Sequence, residues 1–544
     1  MICDIRISEK SFGAKTLFSN VNFSIDDDEK VALIGRNGIG KSTLLHILSG
    51  KDSDYDGEVI FRRGVSVVST LQEHFNDDQT VIDYVLEGLP EHKELANIIR
   101  NYPSIMNDDL KLIDKYTKAL ERFTNLGYFT VEDKIREEFK NFQIPGLEDR
   151  KLASLSGGQK RIVEIIKVMH SNTHLALFDE PTNHMDYVAK RDFIEFIKNK
   201  KQAMLIVSHD RDVLKVVDKI VEIKDGKSKI YNGNYDFYLK QNSSTTANEM
   251  NDYENVKRRI ANLKIKHAEY KRLKEKSRNP STIHRFKMLE QKAFKELNEL
   301  LKIEKPSFWI DENSLKEVNY KTADQYSKYK TKNIRLSIKN DDSKSKRDVL
   351  KVDKVSFGYK DNILKENLSF SLEEHGRLEL RGRNGRGKST IIKALLKNAD
   401  PDFVLYEGSF WIDPTINVGV YHQEIEKDYL ELSLYQAIEK CYLDLNLSIS
   451  DQKIRKLLND YLFSLEDHNT LLRKLSGGQK SRFQLIQMLA NDPKLLILDE
   501  PTNHLDLPSI EELENALNKF SGAILFVSHD GYFIKKLKAK VVEI

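Results

Sequence analysis

The sequence predicts an α/β fold in which two homologous domains are joined by an α-helical hairpin. Several segments occur twice in the same order, short β-rich runs alternate with helical stretches in both copies, and a glycine-poor segment separates the copies. The chain has 544 residues, which is more than one hydrophobic core usually organises. We therefore expect domain 1 at 1–240, an interdomain linker at 241–347 and domain 2 at 348–544.

The total charge and the cysteine content restrict the class of protein. The chain has 87 Lys and Arg residues against 84 Asp and Glu residues, and its net charge of +3 does not indicate a polyanionic partner. Its two cysteines, Cys3 and Cys441, are too few and too far apart for a disulfide framework or a cysteine-rich zinc site. The chain shows no export signal and only short apolar runs. We expect a soluble, cytoplasmic protein and exclude a complete membrane transporter.

Both copies contain the pattern G-x-x-x-x-G-K-S between a predicted strand and a predicted helix. Such a turn surrounds a phosphate chain with backbone N–H groups, while its lysine neutralises phosphate charge and its serine ligates Mg²⁺. A glycine turn of purely structural role is the alternative, and the second copy disfavours it. The candidate binding residues are Gly35, Asn37, Gly38, Gly40, Lys41, Ser42 and Thr43 in domain 1 and Gly382, Asn384, Gly385, Gly387, Lys388, Ser389 and Thr390 in domain 2.

A pair of carboxylates follows an apolar strand in each copy. Asp179 and Glu180 end the run Leu175–Phe178, and Asp499 and Glu500 end the run Leu495–Leu498. The aspartate suits a second Mg²⁺ contact, and the glutamate is placed to orient or deprotonate an attacking water. In both copies the aspartate lies 20 residues after the Gln of a repeated Leu-Ser-Gly-Gly-Gln segment. This repeated spacing disfavours the alternative of a charged turn that caps a helix.

These residues resemble the ABC ATPases and, more narrowly, the ABC-F class of translation factors and ribosome-protection proteins. The resemblance rests on the G-x-x-x-x-G-K-S loops (Walker A), the signature segments Leu155–Gln159 and Leu475–Gln479, the D-E-P-T-N-H-x-D segments from Asp179 and Asp499, and the Ser-His-Asp segments ending at Asp210 and Asp530. It covers nearly the whole chain. It implies two tandem P-loop ABC-type nucleotide-binding domains that bind ATP and Mg²⁺ and hydrolyse ATP.

The resemblance also implies that the domains close head to tail. Site 1 would then combine Lys41 with the domain 2 signature, and site 2 would combine Lys388 with the domain 1 signature. The signature residues assigned to nucleotide binding are Ser156, Gly157, Gly158, Gln159, Ser476, Gly477, Gly478 and Gln479. Catalytic roles fall to Glu180, Glu500, His209, His529, Gln72 and Gln423, and metal contacts to Ser42, Gln72, Asp179, Ser389, Gln423 and Asp499. Phe12 and Tyr359, each 23 residues before the first Walker A glycine, could stack on adenine, with core packing as the alternative.

Domain 2 departs from domain 1 at three places around these motifs. Its strand Leu378–Arg381 carries charges where domain 1 has Val31–Ile34, Arg386 stands in the position of Ile39, and Gly531 stands in the position of Arg211. None of these differences removes a catalytic group. The relative hydrolysis rates of the two sites therefore stay open.

The segment between the domains has helical spacing from Thr246 to Lys305, with a break at 276–280 and Ser281 as the expected N-cap of a second helix. An antiparallel hairpin accounts for both apolar stripes. From Lys257 to Lys287 there are 12 Lys and Arg residues but only 2 Asp and Glu residues. This density favours a phosphate backbone as partner over the alternative of a solvated helical linker. The candidate RNA-binding residues are Lys271, Arg272, Lys274, Lys276, Arg278, His284, Arg285 and Lys287.

By resemblance, the hairpin enters the E site of a bacterial-type ribosome and reaches large-subunit rRNA, P-site tRNA and the peptidyl-transferase centre. The expected function is ribosome protection that confers antibiotic resistance, with a housekeeping factor that relieves stalled ribosomes as the alternative. The expected state is a monomer that closes intramolecularly, without a membrane subunit. A soluble ATPase subunit of a transporter and a DNA-organising ATPase are alternatives of other classes. About 30 extra residues at 75–150 predict either an enlarged helical layer in domain 1 or a small ribosome-contacting arm.

Overall fold

A computed structural model describes residues 1–12, 15–70, 79–105, 109–142, 144–155, 157–171, 173–301, 336, 347–360, 362–399, 401–422 and 425–544. These residues belong to two compact units, one formed by Met1–Tyr235 and Ile334–Ile544 and the other by Asp236–Asn333. The two predicted α/β domains thus share one unit, and the predicted hairpin forms the other. No helix within the described ranges is both long enough and apolar enough to cross a bilayer.

Domain 1 has an antiparallel sheet and a mainly parallel sheet. Its strands are β1 (Cys3–Phe12), β2 (Lys15–Phe18), β3 (Val21–Ile25), β4 (Lys30–Gly35), β5 (Asp56–Phe61), β6 (Val67–Ser69), β7 (Leu175–Asp179), β8 (Ala203–Val207), β9 (Lys219–Lys224) and β10 (Lys227–Asn232). Its helices are α1 (Lys41–Leu48), α2 (Val81–Glu87), α3 (His92–Asn101), α4 (Leu110–Asn125), α5 (Val131–Asn141), α6 (Gly157–His170), α7 (Tyr187–Asn199) and α8 (Arg211–Leu214).

The parallel sheet of domain 1 has the strand order β10-β9-β4-β8-β7-β6, in which only the β9–β10 pair is antiparallel. Side chains alternate between its two faces, as a strand requires. Leu175 and Leu177 pack into one core with β1 and α1, while Ala176 and Phe178 pack into another core with α6 and α7. Because both faces are covered, β4, β7 and β8 are continuous apolar runs rather than alternating ones. Their carboxyl ends meet at one edge of the sheet.

The extra residues of domain 1 form α3 and α4. The ring of His92 packs against Phe123 at a centroid distance of 5.6 Å and against Tyr128 at 5.2 Å. Leu95, Phe123 and Tyr128 are buried in the same core as α5 and α6. These contacts agree with an enlarged helical layer, and whether its surface contacts a ribosome stays a prediction.

The linker unit is a helical hairpin of α9 (Tyr235–Lys276) and α10 (Pro280–Leu301). Its 42-residue first helix is on the order of 63 Å long. Leu263, Ala293 and Leu297 are buried between the helices, and Arg259 pairs with Glu296 at 2.7 Å. Lys274 pairs with Glu290 at 2.5 Å nearer the turn. The predicted antiparallel hairpin is confirmed.

Two expectations about the hairpin are wrong. The first helix begins at Tyr235 instead of near Thr246, because residues rich in Ser and Thr continue the helix without contributing an apolar stripe. Ser281 is not the N-cap of α10. Asn279 has that role, since its Oδ1 accepts a hydrogen bond from the backbone N–H of Ser281 at 3.0 Å, and Pro280 is the first helical residue.

Domain 2 repeats the two-sheet arrangement. Its strands are β11 (Asp348–Tyr359), β12 (Asn362–Glu373), β13 (Arg377–Arg381), β14 (Phe403–Ile412), β15 (Val418–Tyr421), β16 (Leu495–Asp499), β17 (Ala523–Val527) and β18 (Lys540–Glu543). Its helices are α11 (Lys388–Leu395), α12 (Lys427–Leu430), α13 (Leu434–Asp444), α14 (Asp451–Asp460), α15 (Gly477–Met488), α16 (Leu507–Lys519) and α17 (Gly531–Leu537). The parallel sheet has the order β15-β16-β17-β13-β18, and β11 pairs antiparallel with β12 and β14.

The charges in strand β13 are compatible with its buried position. The Glu379 side chain is 1% exposed and accepts hydrogen bonds from Arg381 Nε at 2.8 Å and Nη2 at 2.9 Å. Residues two apart in a strand lie on the same face, so the pair neutralises itself within the strand. The strand therefore keeps its place in the sheet despite its departure from the apolar sequence of β4.

Candidate active site

The Walker A loop of domain 1 joins β4 to α1. Gly40 has φ 103° and begins the turn into α1, and a Cβ there would lie 2.8 Å from the ring of Phe18. Lys41 follows it, and its Nζ donates hydrogen bonds to the carbonyl oxygens of Gly35 at 2.7 Å and Arg36 at 3.3 Å. Burial lowers the pKa of Lys41, although Glu180 and Asp506 oppose the shift. The loop thus holds a buried cation close to its own backbone.

The Walker A loop of domain 2 has the same construction. Gly387 has φ 92°, and a Cβ there would lie 2.8 Å from the ring of Phe357. Lys388 Nζ donates to the carbonyl oxygens of Gly382 at 2.8 Å and Arg383 at 3.0 Å. Burial lowers the pKa of Lys388 as well. The two loops are equivalent in backbone conformation and in lysine geometry.

Each Walker A serine lies beside the aspartate at the end of a central strand. Ser42 Oγ donates to Asp179 Oδ2 at 2.8 Å, and Ser389 is hydrogen-bonded to Asp499. A hydroxyl and a carboxylate in contact provide the few protein oxygens that Mg²⁺ uses when it also binds waters and substrate phosphates. The residues therefore fit the predicted metal contacts.

The two candidate catalytic glutamates have an unusual backbone conformation. Glu180 has φ 45° and Glu500 has φ 49°, in the left-handed region that side chains other than glycine seldom adopt. Burial raises the pKa of Glu180 to about 8 and that of Glu500 to about 7, and the neighbouring Walker A lysines oppose the rise. The structure thus holds both carboxyls poised near neutral pH, where a general base is most effective.

His209 and His529 of the two Ser-His-Asp segments, called the switch histidines and switch segments from here on, lie directly against these glutamates. His209 Nε2 is 3.6 Å from Glu180 Oε1, and His529 Nε2 is 3.2 Å from Glu500 Oε1. The backbone N–H of each histidine also donates to its glutamate, at 3.4 Å and 3.2 Å. Burial and the nearby lysine lower the pKa of His209 to about 3 and that of His529 to about 4, so both rings are neutral at pH 7. A neutral ring can donate one hydrogen bond to a phosphate oxygen.

The domains meet head to tail around site 1. Asn37 Nδ2 donates to the carbonyl oxygen of His504 at 2.7 Å, and the Asn37 backbone N–H donates to Asp506 Oδ2 at 3.3 Å. Gly478 of the domain 2 signature approaches so closely that a Cβ would lie 2.2 Å from Asn37 Nδ2. Site 1 therefore combines the Walker A loop of domain 1 with the signature of domain 2, as the resemblance implies.

Site 2 is formed by the reciprocal contact. The backbone N–H of Asn384, in the Walker A loop of domain 2, donates to Asp186 Oδ2 of domain 1 at 3.1 Å. Asp186 also accepts from the backbone N–H groups of Val188 and Ala189 at the start of α7. Asp186 thus caps a helix of its own domain and accepts a hydrogen bond from the Walker A loop of the other domain. The same arrangement recurs at Asp506, which caps α16 through Ser509.

A cavity of about 490 Å³ lies between the two domains. It is lined by residues of site 1 and by the catalytic pair of site 2. Among the candidate residues the cavity brings together Phe12, Asn37, Gly38, Gly40, Lys41, Ser42, Thr43, Asp179, Glu180, His209, Ser476, Gly477, Gly478, Glu500 and His529. Phe12 is 55% exposed, so core packing does not account for it. Tyr359 lies beside the other Walker A helix, with its hydroxyl 3.4 Å from Thr390 Oγ1.

Several candidate residues are placed otherwise. Gln72, Gln423 and Ser156 lie outside the described residues. Gln479 accepts a hydrogen bond from the Ser476 backbone N–H at 2.9 Å and donates to Asp467 at 2.7 Å, so its side chain caps α15 and does not line the cavity. Gly157 and Gly158 form the first turn of α6.

Sequence reasoning missed Arg161 on the domain 1 signature helix. Its Nη1 donates to the carbonyl oxygen of Thr70 at 2.8 Å, and its Nη2 donates to the carbonyl oxygen of Asp179. The counterpart of Arg161 in domain 2 is Ser481, and the arginine there stands one position later, at Arg482. Arg482 instead donates to the carbonyl oxygens at 461 and 462. The arginine lies one position later after the domain 2 signature than after the domain 1 signature, and this shift is the sequence feature that could have singled out Arg161.

Sequence reasoning also missed the cations between the switch segments. Lys190 Nζ pairs with Asp210 at 2.8 Å and Asp212 at 2.7 Å and donates to the carbonyl oxygen of His529 at 3.3 Å. Arg211 pairs with Glu514 of domain 2 at 2.8 Å. The contacts with His529 and Glu514 cross between domains, and a linear sequence gives no direct indication of such pairing.

Comparisons with known proteins agree with this geometry. Two sequence families, each described as ABC transporter, match the chain, one at 18–183 and 365–503 and the other at 221–316. YdiF of Bacillus subtilis is 31% identical over 100% of this chain and 80% of its own length. ABC transporter F family member 5 of Arabidopsis thaliana is 27% identical over 98% of this chain and 74% of its own length.

Solved structures share the fold at low sequence identity. The RNase-L inhibitor superposes with a TM-score of 0.57 at 17% identity, over 99% of this chain and 87% of that one. The archaeal ribosome recycling factor aABCE1, solved with ribosomal stalk protein aP1, superposes with a TM-score of 0.55 at 16% identity, over 98% and 86%. The tandem ATP-binding domains, the linker between them and these sequence relatives together show that the chain belongs to the ABC-F family of ABC ATPases.

Proposed function

We propose that this protein is an ATP-dependent ribosome-binding factor. ATP closes the two domains on each other, the closed protein binds near the ribosomal E site, and the basic hairpin contacts rRNA and P-site tRNA. Hydrolysis then permits release. Within this function, ribosome protection against antibiotics is the leading specific role, and relief of stalled ribosomes is the alternative.

The charge of the hairpin carries this proposal. Its turn and the adjoining ends of both helices present basic side chains to solvent. The exposed candidates are Lys271, Arg272, Lys276, Arg278, His284, Arg285 and Lys287. Lys274 is half-buried in its pair with Glu290 and serves hairpin packing instead. Clustered exposed cations at a helical turn suit an RNA phosphate backbone, whereas a transporter ATPase subunit has no use for them.

The comparison structures support the same partner. Two of the solved proteins that share this fold are described as a ribosome recycling factor and as ribosome-bound ABCE1. Their sequence identity to this chain is below 20%, so these structures support only the fold. The argument for an RNA partner rests on the basic hairpin.

The active-site residues account for the ATPase part of the function. At each site the glutamate accepts a proton from water as the water oxygen bonds to the γ-phosphorus and the bond to the β–γ bridging oxygen breaks. The neutral histidine, 3.6 Å from Glu180 or 3.2 Å from Glu500, donates to a γ-phosphate oxygen. Mg²⁺, when bound at the serine and aspartate, neutralises phosphate charge. Signature glycines of the opposite domain complete each site, so hydrolysis requires closure.

Charge reversal at the hairpin turn tests the proposal. We expect Arg278→Glu with Arg285→Glu to abolish co-sedimentation with bacterial ribosomes in ATP and to leave ribosome-free ATPase activity within about twofold, because a few phosphate contacts account for a large part of RNA affinity. Lys292→Glu with Lys295→Glu is the matched control, since both lysines are exposed on α10 outside the basic stretch. Equal ribosome binding by the turn variant and the control would contradict the proposal.

Drug susceptibility separates the two specific roles. Ribosome protection predicts raised minimum inhibitory concentrations for drugs that act at the peptidyl-transferase centre when the protein is expressed. Unchanged values for all such drugs, with ribosome binding intact, would favour the housekeeping role.

A further inference from the structure

The switch segment of domain 1 is joined to domain 2 by a buried ion pair. Arg211 directly follows Asp210, and its Nη1 donates to Glu514 Oε1 on α16 at 2.8 Å. Arg211 is 4% exposed and Glu514 is 1% exposed. The remaining guanidinium nitrogens, Nε and Nη2, are buried without a hydrogen-bond partner among the described residues. Glu514 is therefore the main hydrogen-bonding partner that the structure gives this cation.

Further contacts of Arg211 and Glu514 also come from domain 2. The Arg211 guanidinium also lies 5.2 Å from the ring centroid of Tyr532, again in domain 2. Glu514 receives a second cation, Lys536 Nζ at 3.2 Å, from its own domain. Removing Glu514 would leave the buried Arg211 charge without its carboxylate, which is far more costly than losing a surface pair, whereas removing Arg211 leaves Glu514 with Lys536. The hydrogen bond and the ring contact of Arg211 both come from domain 2, so Arg211 has them only when the two domains are apposed.

Domain 2 has no counterpart of this pair. From Asp179 to Asp210 and from Asp499 to Asp530 the two domains align without gaps, so Gly531 corresponds to Arg211 and Ile194 corresponds to Glu514. Neither glycine nor isoleucine can form an ion pair. Around site 2, Lys190 of domain 1 instead donates to the carbonyl oxygen of His529 at 3.3 Å. In both places the cation comes from domain 1 and the acceptor from domain 2.

We infer that Arg211 and Glu514 are a positioning pair that couples domain closure to the hydrolytic geometry of site 1 and leaves site 2 largely independent. Arg211 is two residues from His209, and His209 contacts Glu180 through both its ring and its backbone N–H. When Glu514 holds Arg211, the start of α8 is fixed, and with it the histidine and the glutamate of site 1. This coupling concerns ATP hydrolysis alone and does not depend on any ribosomal partner.

Single-turnover ATP cleavage in two backgrounds tests this inference. The Glu500→Gln variant keeps a catalytic glutamate only at site 1, and the Glu180→Gln variant keeps one only at site 2. We expect Arg211→Gly, which copies the domain 2 residue, to lower the maximal cleavage rate of site 1 about tenfold or more, because the segment that carries His209 loses its contact with α16 and a small misplacement of a catalytic group is costly. The half-saturating ATP concentration should change less than about twofold, because Arg211 is not among the residues that line the nucleotide cavity. Site 2 should stay within about twofold.

Arg211→Lys and Glu514→Gln keep the inference testable if Arg211→Gly unfolds. Arg211→Lys should recover part of the site 1 rate, because a single ammonium still reaches the carboxylate. Glu514→Gln should lower the site 1 rate and spare site 2, because the buried Arg211 charge loses its carboxylate partner. Thermal unfolding of each variant reports whether the fold persists. Equal losses at both sites, or a folded Arg211→Lys protein that is no faster at site 1 than Arg211→Gly, would overturn the inference.

Discussion

The two ATP sites have the same catalytic groups but different surroundings. Both have a lysine bonded to its own loop, a serine beside an aspartate, and a glutamate with φ near 45–49° against a neutral histidine. Beside the catalytic groups of site 1, Arg161 donates to the carbonyl oxygen of Asp179 and Arg211 pairs with Glu514, whereas the domain 2 residues at the positions of Arg161 and Arg211 are Ser481 and Gly531. The comparison shows that the duplicated motifs preserve the catalytic groups while nearby residues differ, and at Arg211 the difference is an ion pair to the other domain.

Removing the catalytic glutamates gives the largest expected effect on this comparison. Glu180→Gln with Glu500→Gln should lower steady-state ATP hydrolysis by at least about 100-fold, because a positioned general base contributes that much. Each single variant should keep one competent site, measurable as at most one ATP cleaved per chain in a rapid-quench experiment. Full activity in either single variant would mean that its glutamate is not the base.

The close approach at site 1 gives the next largest effect. Gly478→Ala should displace Asn37, because the new Cβ would lie 2.2 Å from its Nδ2, and should cost the hydrogen bond from Asn37 to His504. We expect ATP-dependent closure, measured by nucleotide occlusion, to weaken by up to about tenfold, since a neutral hydrogen bond is worth about 0.5–1.5 kcal/mol. Asn37→Ser in the same chain should relieve the clash and restore part of the occlusion. If the two substitutions are simply additive, this contact does not limit closure.

Arg161 tests the difference between the signature helices. Arg161→Ser, which copies the domain 2 residue, removes the donor to the carbonyl oxygens of Asp179 and Thr70. We expect the site 1 cleavage rate in the Glu500→Gln background to fall about fivefold, because two buried acceptors lose a charged donor. The site 2 rate in the Glu180→Gln background should fall less, because Arg161 donates to Thr70 and Asp179, although it shares α6 with the signature glycines assigned to site 2. A parallel fall at both sites would point to general destabilisation.

The pH dependence gives the smallest expected difference. A glutamate that accepts a proton must be ionised, so cleavage is lost as pH falls through its pKa. With pKa values of about 8 for Glu180 and about 7 for Glu500, single-turnover cleavage should reach half its maximum near pH 8 at site 1 and near pH 7 at site 2. The ratio of the site 2 rate to the site 1 rate should therefore rise between pH 8 and pH 7. Superimposable profiles would remove this difference between the sites.

Much of the fold could be predicted because it depends on local patterns of apolar residues in the sequence. The continuous apolar runs before Asp179 and Asp499 predict buried parallel strands, and the structure confirms both, each extended by the aspartate itself. The helical hairpin was recognised from its apolar spacing. The start of α9 and the N-cap of α10 were not predicted correctly. The Ser- and Thr-rich start of α9 and the cap at Asn279 depend on backbone contacts that composition does not show.

The candidate site was predictable where each residue belongs to a motif that can be recognised within one segment. Lys41, Asp179, Glu180 and His209 do lie together in one cavity. The interdomain contacts of Asp186, Lys190 and Arg211 were not predicted, because they depend on which residue of the other domain each one faces. The left-handed conformation of Glu180 and Glu500 also follows from the strand-to-turn geometry of the folded sheet and not from any local glycine signal.

The most direct test of the proposed function is ribosome sedimentation of the hydrolysis-deficient protein. The Glu180→Gln, Glu500→Gln variant should close on ATP and stay closed, so it should pellet with bacterial ribosomes in ATP and remain in the supernatant in ADP. Binding of two ATP molecules per chain, measured in parallel, confirms that closure is possible. A protein that binds both nucleotides yet stays in the supernatant in ATP would contradict the account.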